Sequence, residues 1–228
     1  MILYGVGMGP GDRGLVTLKA LDILRKSQAV FEPVSAKGRQ SVAGQMARDL
    51  IPGLKTIPVL FPMTGSDQEL RSAVRASLSS SKPLWEGASM AAMPVIGDST
   101  LYATVHVLHQ ELSSMADVEL KLIPGISAHS AAAALLGRFI GMREQVFSVV
   151  PGSAGPERVI QVLKSCQCAA LYKPSALGDK LPLVVSASGP WDKLARVHRV
   201  GLEGEWAVEG EGAMEPTDDY LAVMLLWR

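Results

Sequence analysis

Short apolar runs and longer amphipathic runs alternate through the first half of this 228-residue chain. The apolar stretches at residues 2–6, 29–34, 55–61, 91–96 and 118–123 read as strands. Between them, residues 15–26, 41–50, 67–79 and 101–112 read as helices. In the third helix Leu70, Val74 and Leu78 recur every four residues, while Arg71 and Arg75 fall on another face. In the fourth, Leu101, Val105, Leu108 and Leu112 draw the same stripe. Apolar strands alternating with amphipathic helices predict the α/β class, with a mainly parallel sheet covered on both faces.

After Pro124-Gly125 the pattern changes. An alanine-rich helix is expected over 127–137, followed by strands at 147–150, 169–172, 183–187 and 220–227 and one clear helix at 156–164. Residues 203–217, rich in Gly and Glu, are expected to loop out. The run Ser-Ser-Met-Ala-Asp at 113–117 breaks a helix before the next strand. It predicts an N-terminal α/β domain over 1–115 and a C-terminal α/β domain with a mixed sheet over 116–228.

Composition narrows the function classes. Hydrophobic residues make up 48% of the chain, and 22 acidic side chains balance 22 basic ones. No global field is present to draw nucleic acid or an anionic membrane. No apolar stretch reaches the length of a membrane span, and no charged leader precedes the first strand, so a cytoplasmic protein is expected. Cys166 and Cys168, spaced C-x-C, fit neither a zinc site nor a redox pair and read as small buried residues. His106 and His109 lie at i, i+3 without an acidic or cysteine partner, so no metal site is expected.

The chemistry concentrates in loops. The first strand runs into Gly5, Gly7, Gly9 and Gly11, which strip side chains from a strand-to-helix turn so that backbone can press on a ligand. Gly9, Gly11 and Gly14 satisfy G-x-G-x-x-G, with Glu32 about 20 residues on, as in a dinucleotide site of an oxidoreductase. Two residues oppose that reading. Pro10 has no N–H to offer an anion, and Asp12 sits where a pyrophosphate would dock, as the following helix's own N-cap. A neutral or cationic ligand suits this loop better. Two further glycine turns follow later strands: Gly97-Asp98-Ser99-Thr100, with Ser99 a candidate helix cap, and Pro124-Gly125-Ile126-Ser127-Ala128. Three such turns at strand ends point to a ligand cleft.

This ordered set, Gly-x-Gly-x-Gly-Pro-Gly-Asp with Leu15-Val16-Thr17-Leu18-Lys19-Ala20, then Gly97-Asp98, then Pro124-Gly125-Ile126-Ser127-Ala128, resembles the tetrapyrrole methylases. Phe31-Glu32-Pro33-Val34-Ser35, Gly38-Arg39-Gln40-Ser41-Val42-Ala43 and Leu101-Tyr102-Ala103-Thr104 are most similar to the precorrin-2 C20-methyltransferases of cobalamin synthesis within that family. The resemblance implies two α/β domains with a cleft between them, a homodimer, S-adenosylmethionine as methyl donor, and precorrin-2 or cobalt-precorrin-2 as acceptor. It implies that Pro10, Ile96, Gly97, Asp98, Leu101, Ser127, Ala128, Tyr172, Lys173 and Gly189 border the donor. The chain departs from the family pattern at Ser99, where proline is usual, and at Lys173, where a hydrophobic residue is usual. The stretch from 173 to 183 is shorter than the helix the family places there.

An electron-rich tetrapyrrole carbon attacks the activated methyl directly, so the protein's task is alignment and exclusion of water. The proton that must leave has three candidate acceptors, Asp98, Tyr102 and His106. Because the acceptor molecule is rich in carboxylates, basic side chains are expected near it. Gly11, Asp12, Arg13 and Arg39 are the expected substrate contacts, with Lys37 in the same loop region as Arg39. Methylation at another ring carbon such as C11, and a tetrapyrrole-binding protein without catalysis, are the alternatives alongside the oxidoreductase.

Overall fold

The structure, a computed structural model, describes residues 1–36, 38, 41–63 and 66–228. Lys37 and Arg39, named above as basic candidates, lie outside the described residues. The chain divides into two compact units, Met1–Ser127 and Ala128–Arg228.

The first unit alternates β1 (Ile2–Gly7), α1 (Leu18–Lys26), β2 (Ala29–Val34), α2 (Val42–Leu50), β3 (Ile57–Leu60), α3 (Asp67–Ser80), β4 (Met90–Val95), α4 (Val105–Ser113) and β5 (Glu119–Ile123). The strands form one parallel sheet in the order β3-β2-β4-β1-β5. Its two faces bury separate cores. Val6, Met8, Leu24, Met46 and Ala92 pack on the side of α1 and α2. Leu3, Phe31, Val74, Leu78, Met93 and Leu108 pack on the side of α3 and α4. The stripes Val74–Leu78 and Leu108–Leu112 thus face the sheet as their periodicity predicts. Pro94 stands in the central strand β4, yet β2 pairs with β4 only as far as Val30↔Ala92. Among the described residues that edge of β4 has no strand partner beyond this point, and a residue without an N–H is accommodated.

β1 leads through α1 to β2 on one side of the sheet, whereas β4 leads through α4 to β5 on the other. The adjacent carboxyl ends of β1 and β4 therefore form the topological switch point, where an open α/β sheet leaves a crevice. The boundary expected at 115/116 falls inside this unit. Val6↔Ile123 and Ile2↔Glu119 register β5 against β1, so the break after α4 is a connection within the sheet.

The second unit holds α5 (Ala128–Leu135), β6 (Phe147–Pro151), α6 (Pro156–Lys164), β7 (Cys168–Tyr172), α7 (Leu181–Ser188), β8 (Lys193–His198), β9 (Trp206–Glu209) and β10 (Ala222–Trp227). Its sheet is mixed, in the order β6-β7-β10-β8-β9, with β6 and β7 parallel and the other pairs antiparallel. Three expectations are corrected here. Residues 183–187 are helical, because Leu181, Val184, Val185 and Ser188 are buried at helical spacing, which a short apolar run conceals. With α7 and the 3-10 turns over Pro174–Lys180, the stretch after Lys173 carries helix after all. Residues 203–217 contribute β9. Strand β8 escapes a hydrophobicity reading because two of its buried residues, Arg196 and His198, are polar.

Cys166 and Cys168 are both buried thiols. Among the described residues no helix is long and apolar enough to cross a membrane, and no cluster of three His, Cys, Asp or Glu side chains could hold a metal ion.

Candidate functional site

The three glycine turns read from the sequence converge at the carboxyl ends of neighbouring strands β4, β1 and β5. Gly9 and Gly97 form an isolated antiparallel bridge, Gly97 N–H to Gly9 O at 2.7 Å and Gly9 N–H to Gly97 O at 3.1 Å. Both have left-handed backbones, φ 73° and 72°, which glycine adopts without penalty. A Cβ on Gly7 would lie 2.5 Å from the Gly125 nitrogen and 2.8 Å from the Gly97 oxygen. Bare backbone from three loops is thus packed as closely as peptide groups allow.

Side chains then brace the knot. Ser99 does not cap α4 as expected. Its buried hydroxyl donates to Ile123 O at 2.8 Å, tying the β4 turn to the end of β5. Asp98 Oδ1 accepts from the Thr100 N–H and the Thr100 hydroxyl, each at 2.9 Å, which closes a tight turn at the rim. Asp12 caps only the one-turn 3-10 helix Arg13–Leu15, accepting from the Gly14 N–H at 2.7 Å. The cap of α1 is Thr17, whose hydroxyl accepts from the Ala20 N–H at 3.1 Å. Pro10 and Gly11 are buried in this loop, while Asp12 and Arg13 are exposed. Arg13 extends to Asp49 of α2 at 2.5 Å.

Of the proton-transfer candidates, Tyr102 follows the β4 turn in a left-handed conformation (φ 51°), and burial pushes its phenol pKa up. Its hydroxyl therefore stays protonated at neutral pH. His106, in the first turn of α4, has Nδ1 2.9 Å from Ala103 O. A carbonyl only accepts, so Nδ1 carries a proton, and in the neutral ring Nε2 is the nitrogen with the free lone pair.

Glu32, the ribose-binding candidate of the oxidoreductase reading, is committed elsewhere. Burial opposes its charge, but hydrogen bonds from Arg48, from the Thr56 hydroxyl at 2.6 Å and from the Ser41 N–H at 3.0 Å outweigh it. Together with the Arg48 charge they hold the carboxyl below its usual pKa. Gly44 makes room for it, since a Cβ there would overlap the carboxylate. Glu32 clamps β2 to α2 and is turned away from ligand duty.

In the second unit, Tyr172 ends β7 and meets the start of α5: its hydroxyl accepts from the His129 N–H, one residue after Ala128, at 3.2 Å. Lys173 is left-handed (φ 50°), with its Nζ 5.4 Å from the centre of the Tyr220 ring. Gly189 is not at this end of the sheet. It precedes β8, whose first residue Lys193 pairs with Trp227, as does Cys168 at the start of β7, whereas Tyr172 pairs with Val223. The turn at the Tyr172 end is that after His198, where Arg199 and Gly201 have φ 52° and 74°. It went unread because β8 was unread.

Four comparisons bear on this arrangement. The profile of the Tetrapyrrole (Corrin/Porphyrin) Methylases matches residues 2–212. A probable cobalt-precorrin-2 C(20)-methyltransferase of Methanocaldococcus jannaschii is 31% identical over 99% of this chain and 96% of its own. A precorrin-2 C(20)-methyltransferase of a Sinorhizobium species is 29% identical over 86% of this chain and 83% of its own. A uroporphyrin-III C-methyl transferase from Thermus thermophilus, solved with S-adenyl homocysteine, shares the fold at TM-score 0.71 and 18% identity. That match covers 100% of this chain and 98% of the other. Glycine turns, strand order and sequence agree: the chain belongs to the tetrapyrrole (corrin/porphyrin) methylases.

Proposed function

We propose that this chain transfers a methyl group from S-adenosylmethionine to C20 of precorrin-2 or cobalt-precorrin-2, a step of cobalamin synthesis. The observation that carries the reading is the knot of Gly7, Gly97 and Gly125 with the Asp98 carboxylate at its rim. Bare peptide beside one carboxylate and an N–H-less Pro10 suits a cationic sulfonium compound and not a pyrophosphate. The names of the Methanocaldococcus and Sinorhizobium relatives support the acceptor and the carbon.

When bound, the donor supplies an electrophilic methyl group. In the first unit Pro10, Ile96, Gly97, Asp98, Leu101 and Ser127 are the residues proposed to hold it; in the second, Ala128, Tyr172 and Lys173. The acceptor carbon is itself nucleophilic, so these residues align the reactants and exclude water. His106, whose neutral ring directs Nε2 away from the Ala103 bond as an acceptor, is the proposed proton acceptor, since Tyr102 is held in its neutral phenol form. Gly11, Asp12 and Arg13 face the substrate in this reading, with Arg39 as a second basic partner for its carboxylates. The proposal extends to a homodimer working in the cytoplasm, as family resemblance implies.

The test is incubation with precorrin-2 and donor carrying a carbon-13 methyl. One added methyl with the label at C20 is the expected result. A label at C11 moves the chain to another position within the family, and binding of NAD in place of the donor overturns the reading altogether.

A further inference from the structure

His129, which none of the sequence patterns singles out, is joined twice to one oxygen. Its backbone N–H donates to the Tyr172 hydroxyl at 3.2 Å, and its Nδ1 lies 2.8 Å from that same hydroxyl. A phenol oxygen has one proton and two lone pairs. With one lone pair taken by the backbone N–H, the oxygen either gives its proton to Nδ1 or accepts one from it. The geometry holds in both tautomers. The imidazole also stands edge-on to the Tyr172 ring, centroids 5.9 Å apart, and tilts against Phe147 at 5.3 Å. It is gripped between the last residue of β7 and the first of β6.

The two backbone segments flanking this grip are both out of the ordinary. Ala128 precedes His129 at the very start of α5, where the helix's free N–H groups need a partner, and the Tyr172 hydroxyl supplies one from another element. Lys173 follows Tyr172 in a left-handed conformation, its carbonyl pressed on Gly152, where a Cβ would come within 2.5 Å of it. Strained backbone of this kind persists only where its surroundings over-determine it.

We infer that His129 is a positioning residue: through the Tyr172 hydroxyl it locks the first turn of α5 to the end of β7. It thereby sets the Ala128 and Lys173 backbones that present the second unit's residues to the methyl donor. The inference rests on the reading that Ala128, Tyr172 and Lys173 border that donor. It adds to the reading a residue that acts on them without touching the ligand.

The experiment is calorimetric titration of S-adenosylhomocysteine into the full chain and its variants Y172F, H129A, H129N and Y172F/H129A. Y172F keeps the ring and removes only the hydroxyl. H129A is expected to weaken binding roughly fivefold, the equivalent of one neutral hydrogen bond, and Y172F, which removes the backbone bond as well, at least as much. The double variant is expected to bind no more weakly than Y172F, because Y172F already removes the side-chain link that H129A removes. H129N, which restores a polar atom near the Nδ1 position, is expected to recover affinity when Tyr172 is present and not in a Y172F background. A merely structural histidine would not show that dependence on the hydroxyl. If H129A fails to fold, Y172F and the asparagine rescue still decide. Unchanged affinity in Y172F, or losses that add, overturns the inference while leaving the functional reading intact. A wild-type chain that does not bind the ligand overturns both.

Discussion

Gly7 and Gly125 touch backbone to backbone, with no room for a single methyl group between the end of β1 and the turn after β5. Gly97 stands beside them but differs in kind. A Cβ on Gly97 meets nothing within 4 Å, yet its φ of 72° disfavours any side chain. Gly125→Ala therefore forces three loops apart, whereas Gly97→Ala only strains one residue, at roughly 1–2 kcal/mol. In Gly125→Ala, overpacking of about 1–3 kcal/mol is expected together with loss of S-adenosylhomocysteine binding. Gly97→Ala is expected to keep the fold and weaken binding less. Thermal melting and calorimetric titration of the two variants side by side check this, and equal binding losses would refute the distinction.

Glu32 couples the first unit's stability to acid. Burial alone would raise its pKa, but the donors Arg48, Thr56 and Ser41 prevail and lower the folded value below 4.5. The stabilisation is therefore complete above about pH 4.5 and is lost as pH falls through the lower folded value. Glu32→Gln is expected to reduce stability at neutral pH, where Arg48 loses its counter-charge, and to flatten the acid limb of the stability curve. Urea unfolding across pH, wild type against variant, measures both. An unaltered acid limb would mean that other carboxylates set it.

The first unit was legible because its chemistry is written in residues whose types have few alternative uses. Alternating apolar strands and striped helices pointed to the parallel sheet, and glycines at three strand ends pointed to the turns that pack together as the candidate site. Side-chain assignments were less legible, for a physical reason. Asp12, Ser99 and Thr17 are all capable caps, and only the path of the chain decides that Thr17 caps α1 while Ser99 reaches across to Ile123. The second unit was obscured where polarity and burial disagree. Arg196 and His198 are buried in β8, so the strand shows no apolar alternation, and the apolar run of α7 is too short to display its period. Missing β8 also left unread the turn after His198, with Gly201, at the Tyr172 end of the sheet.

That buried pair carries its own pH dependence. Arg196 Nε donates to His198 Nε2 at 2.9 Å, so Nδ1 bears the proton and meets Asp219 Oδ2 at 3.0 Å, while the ring stacks on Trp206 at 3.9 Å. Burial lowers the His198 pKa below 6.5; the Asp219 hydrogen bond opposes this, and the Arg196 charge reinforces it. Protonation would set two donors face to face. The unfolded chain takes up a proton near pH 6.5 that the folded chain refuses, so stability is full above that pH. It falls as pH drops from 6.5 toward the folded value, by at most about 1.4 kcal/mol per pH unit. His198→Gln, which keeps an acceptor for Arg196, is expected to remove this slope below pH 6.5. Denaturation midpoints at matched ionic strength provide the check, and a slope that survives the substitution would assign it elsewhere.

Asp98 offers the sharpest probe of the proposed contact between the first unit and a charged ligand. Its Oδ1 is spent on Thr100, so Asp98→Asn retains the acceptor that shapes the turn and removes only the negative charge. S-adenosylmethionine and S-adenosylhomocysteine share an α-ammonium group, but only the former has a sulfonium. If the carboxylate pairs with the α-ammonium group that both ligands carry, the variant should lose affinity for both alike, by about tenfold for one charge-assisted contact. A loss confined to S-adenosylmethionine would place the carboxylate at the sulfonium, and a loss for neither would remove Asp98 from the proposed site. Asp98→Ala, which also unties Thr100, separates the charge from the turn: it should bind both ligands more weakly than Asp98→Asn does.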